Sequence, residues 1–490
     1  MKKSLLLLGL LGFASSVHAQ TPNLGPWVEV NKVGSSAFAP GYLVVDVKTT
    51  SPTIAWAVAE ENSSIGQPTA FFVTNNAAGD QFYFGTVSAA NGSQNYQTGN
   101  ISSVGVSATT AVAATYPIAQ GAAGGEILRT TNGGISWTKV STASQFVGTQ
   151  GGFCNFVHMF NATEGVSLGD PTNGYFEILR TTDGGVTWTR LPQTSSPAPL
   201  ANEYGLARSF FARGNTIWAG LGSSNDNAPV RVLKSTDRGL TWTASALTTL
   251  LGGISRLAFK DDLNGIAYNV KVANNAISEV NVIRTSDGGA TWSPITPVNT
   301  ANGSFFRYDI DAVDGRYYSV GARFPITTPT AVAADYGSSS STDGINWTNL
   351  NNSQGFFAFD LISAPASAPA GSATGYAGAA TDANGVGGIY KASSITVTAT
   401  RDAALQSVLS AYPNPSHSGV FKVEMGSYLK GSAQLTVVDA LGRQVLAKTL
   451  SATAIGSKNV NLDLSGEKAG VYTMQVRTDA GIATQKLVID

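Results

Sequence analysis

The polar and apolar positions of this chain predict strands joined by tight turns. Short alternating or apolar runs come in pairs, such as 42–47 with 54–59, 255–259 with 265–270, and 305–310 with 316–320. Such runs, bounded by Gly, Asn, Asp and Pro, read as half-buried strands. Apolar strands at 126–129 and 176–180 run straight into a turn, and the turn into a strand opened by Trp.

That last phrase recurs. Thr130-Thr131-Asn132-Gly133-Gly134-Ile135-Ser136-Trp137 is followed by Thr181-Thr182-Asp183-Gly184-Gly185-Val186-Thr187-Trp188. Copies at Ser235–Trp242 and Thr285–Trp292 carry Asp237 and Asp287, and a shorter copy at Ser341–Trp347 carries Asp343. The tryptophans lie 51, 54, 50 and 55 residues apart, a period that signals stacked supersecondary repeats. The Asp or Asn accepts hydrogen bonds from turn amides, and Gly supplies positive φ. One period before Trp137 stands Phe82, preceded by the degenerate Thr74-Asn75-Asn76-Ala77-Ala78-Gly79-Asp80-Gln81. A further period back stands Trp27, a fourth strand without its first three, which fall at 357–362, 375–379 and 388–391. The expected architecture is therefore all-β: seven four-stranded units closed into a ring by the N-terminal strand, with 363–371 as a long loop in the last unit. Closure leaves only short protected edges.

The phrase resembles the Asp-box, or bacterial neuraminidase repeat, which lies between the third and fourth strands of a β-propeller blade. With its preceding apolar strand, and with Glu164–Pro171 followed by Gly174-Tyr175-Phe176, the region 20–395 also resembles the seven-bladed photosystem II stability and assembly factor family. That resemblance implies a scaffold that holds a partner on one face. It assigns Asn132, Asp183, Asp237, Asp287, Asp343 and Trp137, Trp188, Trp242, Trp292, Trp347 to turn bracing and packing.

The ends differ in kind. Met1-Lys2-Lys3, an apolar run at 5–13 and Val17-His18-Ala19 form a secretory signal peptide, 1–19. After a Thr/Ala/Ser-rich linker, 396–408, come about seven short strands in 409–490, the pattern of a small immunoglobulin-like β-sandwich. Here Tyr412-Pro413-Asn414-Pro415, Asp439 with Gly442-Arg443, Leu462-Asp463-Leu464, Gly470-Val471-Tyr472 and Lys486-Leu487-Val488 follow in order. The series resembles the type A C-terminal sorting domain of the type IX secretion system. It implies a Bacteroidota export route, the export machinery as partner, and a place in the medium or on the outer cell surface.

Composition narrows the chemistry. Charged residues make up 12% of the chain, and loss of Lys2 and Lys3 with the leader takes the basic count from 30 to 28 against 31 acidic residues. Neither a nucleic-acid footprint nor a basic membrane patch follows. Three histidines, at 18, 158 and 417, offer no metal site or catalytic triad, and no metal or cofactor is expected. Cys154, the one cysteine, reads as a buried filler.

Aligned by the apolar residue that closes each first strand, Arg208, Arg256 and Arg307 fall at equivalent places in three successive units. Together they would fork an anion near the channel; alternatively each pairs with Asp309, Asp311 or Glu203. Asp46, Asp170, Glu203, Asp309 and Asp311 are the carboxylates available for glycoside hydrolysis. The early F-R-I-P motif of sialidases is missing, its nearest string being Arg323-Phe324-Pro325-Ile326, out of order and late, and the sialidase fold has six blades where seven are counted here. The expected function is an exported binding module that holds a glycan or envelope protein near the arginines, with Asp170, Glu203 and Asp309 alongside. A glycan-active hydrolase or lyase, and a structural or adhesive surface component, are the alternatives.

Overall fold

The computed structural model describes residues 26–490 apart from 33–41, 62–69, 75, 88–95, 119–123, 148–151, 274–275, 299–303, 323–335, 366–367, 369–370, 382–386, 396–402, 426–432, 440–442, 451–458 and 479–480. The expected signal peptide, most of the linker and Gly442 lie outside the described residues. The chain divides into two compact units, Met1–Thr396 and Val397–Asp490.

In the first unit the described strands form five four-stranded antiparallel sheets and one nine-stranded sheet, in which two four-stranded antiparallel sets meet at Ala380 opposite Leu43 and Asn31–Lys32 adds a parallel edge. The first strands of these seven four-stranded sets are Tyr42–Ser51, Tyr96–Ser103, Cys154–Met159, Glu203–Arg213, Arg256–Phe259, Asp309–Val313 and Ala358–Ser363. Each first strand packs against the next, and the seventh against the first, so the sheets close around an axis as a β-propeller. The N-terminal strand Trp27–Glu29 pairs with Gly387–Ile395 in the seventh sheet, Trp27 opposite Ala392. Asn31–Lys32 then lies parallel to Gln81–Thr86 on the outer edge of the first sheet. The closing segment thus joins the last sheet to the first.

Between sheets the glue is aromatic. Trp137 meets Trp56 and Phe71 of the first sheet at ring separations of 6.2 and 5.6 Å. Trp188 packs with Val112 and Ile127, Trp242 with Phe156 and Val166, Trp292 with Trp218, and Trp347 with Tyr268. Phe82 meets Tyr376, and Trp27 meets Phe356 while donating to Ser338 Oγ at 3.2 Å. Each aromatic near a fourth strand reaches back to the preceding sheet. Burying such a ring removes about 150–250 Å² from water, worth about 4–6 kcal/mol before entropy.

The recurring turn is held from within. Asp287 Oδ1 accepts from the amides of Ala290 and Thr291 at 3.0 Å each, and Oδ2 accepts from the Thr291 hydroxyl at 2.5 Å. Thr285 Oγ1 meanwhile accepts from Gly289 N at 3.0 Å. The bonds to Asp287, led by that from the Thr291 hydroxyl and including one from the Thr285 hydroxyl at 2.7 Å, hold its carboxyl down at about 2. Asp183, Asp237 and Asp343 repeat the geometry, Asn132 repeats it with an amide, and Asn76 braces the degenerate copy. Gly185, at φ +78°, is required twice over: a Cβ there would meet Val112 Cγ1 at 2.6 Å. Asp287→Ala is expected to cost about 1 kcal/mol through its lost amide bonds. Asp287→Asn should cost less, because Asn132 already braces a wild-type turn; urea unfolding of both variants measures the difference.

Two expectations shift. The first strand of the sixth sheet starts at Asp309, not 305, because Phe305 turns into the core beside Tyr268 and Trp347. Residues 403–408 of the expected linker form the helix Ala403–Val408, whose Leu405 is buried in the second unit.

That second unit is a β-sandwich of a three-stranded and a four-stranded sheet around Phe421, Leu435, Met474 and Leu487. Its motifs have local work to do. Asp439 accepts from Arg443 N at 2.9 Å and Arg443 Nε at 3.1 Å. The Tyr472 hydroxyl donates to the Lys468 carbonyl at 2.6 Å.

Candidate functional site

The inner edge of each first strand presents backbone groups toward the neighbouring sheet and the axis, and buried amides need acceptors. Polar side chains on the preceding first strand supply them. Asp309 Oδ2 accepts from Phe359 N at 3.1 Å, and Asp311 Oδ2 accepts from Leu361 N at 2.6 Å. Asp360 Oδ2 accepts from Thr49 N at 2.7 Å, carrying the latch from the seventh sheet to the first. Asn100 and Ser102 do the same for Val157 and Met159. The carboxylates at the channel are thus first of all backbone caps.

Their second partners are cations. Lys48 Nζ lies 2.7 Å from Asp360 Oδ1, and Arg256 Nε lies 3.1 Å from Asp309 Oδ1. Arg208 crosses furthest. It sits where the ladder breaks between Gly205 and Phe210, at φ +62°. That left-handed conformation costs a non-glycine residue about 1–3 kcal/mol. From there it donates to the carbonyls of Gly99 and Thr98 at 2.6 and 3.0 Å and pairs with Glu60 at 2.5 Å. One side chain of the fourth sheet so binds the first and second.

Asp46 has a different standing. It interacts through space with Arg208, Asp309, Arg256 and Asp360, and burial pushes its carboxyl up to about 7. Burial, followed by the neighbouring Asp360, also brings Asp311 to about 7. His158, against the rings of Phe160 and Phe210, is lowered to about 3 by burial and then by Lys48, so it is neutral. Burial raises the Cys154 thiol to about 12, which removes it as a nucleophile.

Of the arginines expected to form a fork, Arg208 and Arg256 both act on Asp46. Arg208 lies in a bulge, Arg256 sits on a regular ladder opposite Tyr268, and Arg307 precedes its strand. Two of the three are paired with Glu60 and Asp309 inside the protein. Glu203 holds Arg231 with two contacts of 2.8 Å, a pair the sequence did not suggest. Asp170 lies on the second strand of its sheet, Gly165–Thr172, and accepts from Asn155 at 3.0 Å. Asp46 lies within electrostatic reach of Asp309, Asp360 and Lys48, and Asp311 of Asp360 and Lys48; Asp360, Lys48 and the Glu60 that pairs with Arg208 were missed by sequence reasoning. Asp360 had a readable signal, a lone charge within the apolar run 357–362. Among the described residues no group of three or more His, Cys, Asp or Glu is arranged to hold a metal.

On the face that carries the recurring turns, the hairpins of the fourth to seventh sheets surround a cleft of about 690 Å³. Arg213, Asn215, Thr236, Asp262, Asp314 and Ser363 supply its polar groups over Ala312 and Val313. Ser363 Oγ donates to Asp314 at 2.8 Å, and Asp262 lies 3.4 Å from Arg213 while remaining 82% exposed.

Residues 410–490 match the family described as the secretion system C-terminal sorting domain. The match marks the protein for the type IX export route, to the cell surface or beyond. No helix among the described residues is long and apolar enough to cross a membrane. No curated protein matches the chain. Among solved structures it is similar to a protein of unknown function from Dyadobacter fermentans, at 14% identity and TM-score 0.38 over 59% of this chain and 93% of that one. It is similar to the GH74 xyloglucanase of Xanthomonas campestris at 12% identity and TM-score 0.26, over 91% and 69%. A Trypanosoma rangeli sialidase mutant with trans-sialidase activity aligns at 9% identity and TM-score 0.41, over 94% and 87%.

Proposed function

We propose that this is an exported binding propeller, built on Asp-box repeats, delivered by a cleavable signal peptide and a type IX tail of the Bacteroidota kind, and without chemistry of its own. The observation that carries the reading is the use of the channel carboxylates: Asp309, Asp311 and Asp360 each cap a backbone amide. A glycosidase needs its pair free to exchange protons with a substrate. Because Arg208 and Arg256 are paired internally, the ligand face moves to the polar cleft. Its hydroxyl, amide, carboxylate and guanidinium groups match a hydroxyl-rich glycan or a polar face of an envelope protein.

The test is retention of the full chain on immobilised neutral and anionic polysaccharides. Retention is expected, reduced at least about tenfold in affinity by Asp262→Ala with Asp314→Ala, roughly 1.4 kcal/mol, and unaffected by Lys448→Ala in the other unit. Retention indifferent to the cleft variants would move the site elsewhere, and no retention on any glycan would leave a protein partner.

One observation favours a second reading. Two channel carboxyls near 7, Asp46 and Asp311, are what an acid-base pair needs. A glycan hydrolase or lyase acting at the channel mouth is the reading that follows from them.

A further inference from the structure

The last strand, Gly481–Ile489, pairs along one edge with Gly470–Thr478, residue for residue from Gly470↔Ile489 to Thr478↔Gly481. Among the described residues its other edge carries no strand of the four-stranded sheet, only an isolated parallel bridge between Ser416 and Ile489 at its end. An open edge of this length is a template for further pairing. Here two side chains and, at its end, the Ser416 backbone occupy it. Gln406 Oε1 accepts from Thr484 N at 2.9 Å while Gln406 Nε2 donates to Thr484 O at 2.8 Å, the two bonds an antiparallel neighbour would make. Asn414 Nδ2 donates to Lys486 O at 2.6 Å and Asn414 Oδ1 accepts from Val488 N at 2.9 Å, the bonds a parallel neighbour would make. The Ser416 backbone completes the row as a parallel bridge, its amide donating to Val488 O at 2.9 Å and its carbonyl accepting from Asp490 N at 3.3 Å.

We propose that this row is a clasp, and that the edge it reserves is a docking edge for an extended strand of a partner protein. Side-chain amides imitate a strand without its continuity: each contact is local, so an incoming strand can replace them one at a time with equivalent bonds. Strand addition uses main-chain bonds for affinity and flanking side chains for choice. The choice lies with Lys486, which is exposed at the middle of the edge. Antiparallel pairing with a second copy, centred on Lys486, would set two lysines opposite each other, which is unfavourable. The edge therefore fits a partner strand with a carboxylate opposite Lys486. The helix Ala403–Val408 and the Tyr412–Pro415 motif act as positioning elements for Gln406 and Asn414.

The experiment uses the full chain, wild type and the Gln406→Ala/Asn414→Ala double variant. The probes are two labelled peptides, one with the sequence of residues 481–490 and one with Lys486→Glu, read by fluorescence anisotropy. Hydrogen exchange at Thr484, Val488 and Val476 is followed in parallel. The proposal expects faster exchange at Thr484 and Val488 with Val476 unchanged. It also expects the Glu peptide to bind the double variant at least about tenfold more tightly than the wild type, and more tightly than the Lys peptide does. Equal binding to both proteins, no binding to a variant whose Val476 remains protected, or self-association of the variant with Lys486 intact would each overturn it. If the double variant loses protection at Val476, the single variant Gln406→Ala is read against the same outcomes.

Discussion

Arg208→Ala is expected to destabilise the propeller by about 3–5 kcal/mol, the cost of removing one partner from a largely buried ion pair. The substitution strands Glu60 and deprives the Thr98 and Gly99 carbonyls of their donors. It also leaves a non-glycine residue at φ +62°, so the strain stays while its compensation goes. Arg208→Lys should recover only part of the loss, because an ammonium cannot match a planar guanidinium spread over three acceptors. All eight tryptophans lie in the first unit, at or before Trp347, so their fluorescence during urea unfolding reports the propeller alone. A change under about 1 kcal/mol would mean that the cross-channel arginine is a surface pair in effect.

Asp46→Asn should act in the opposite direction, and with a pH signature. Asp46 titrates at about 7 in the folded protein, against 3.8 for the ordinary carboxyl. Between those values the folded state keeps a proton that the unfolded chain has released. Its contribution is therefore fully present below about pH 4 and is lost as pH rises to about 7. The turn carboxylates run the other way: Asp287, held at about 2, contributes above about pH 4 and loses that contribution as pH falls. The propeller is expected to be most stable near pH 4–5. At pH 8 Asp46→Asn should gain about 1–3 kcal/mol, less than the full shift would give because water reaches the group. It should also flatten the decline between pH 4 and 7. Thermal unfolding across pH measures both, and an unchanged slope in the variant would assign the decline to Asp309, Asp311 and Asp360.

What the sequence made legible was local or periodic. The turn phrase announced itself because each copy makes its own bonds within a few residues, from Thr181 to Trp188 or Thr285 to Trp292. The closure by Trp27 was legible by counting periods. The channel was not, because its partners are distant: Arg208 and Glu60 stand 148 residues apart. The partners of Arg208 were hidden by a bulge between Gly205 and Phe210, which shifts the register without a mark in the residue pattern. A strand pattern says which positions face inward, and not that an inward Asp will spend itself on the amide of the neighbouring strand. The tail motifs were visible as an ordered series, but the contact of Asn414 with Lys486 and Val488, which joins its two ends, becomes visible only in the folded unit.

The central claim is that the channel charges close the ring and catalyse nothing. It is tested most directly by the product masses formed when the full chain and its Asp46→Asn variant are incubated, between pH 5 and 8, with the polysaccharides that retain the protein. No new masses from either protein is the predicted result. Products that the wild type forms and Asp46→Asn does not would contradict it and make the channel an active site.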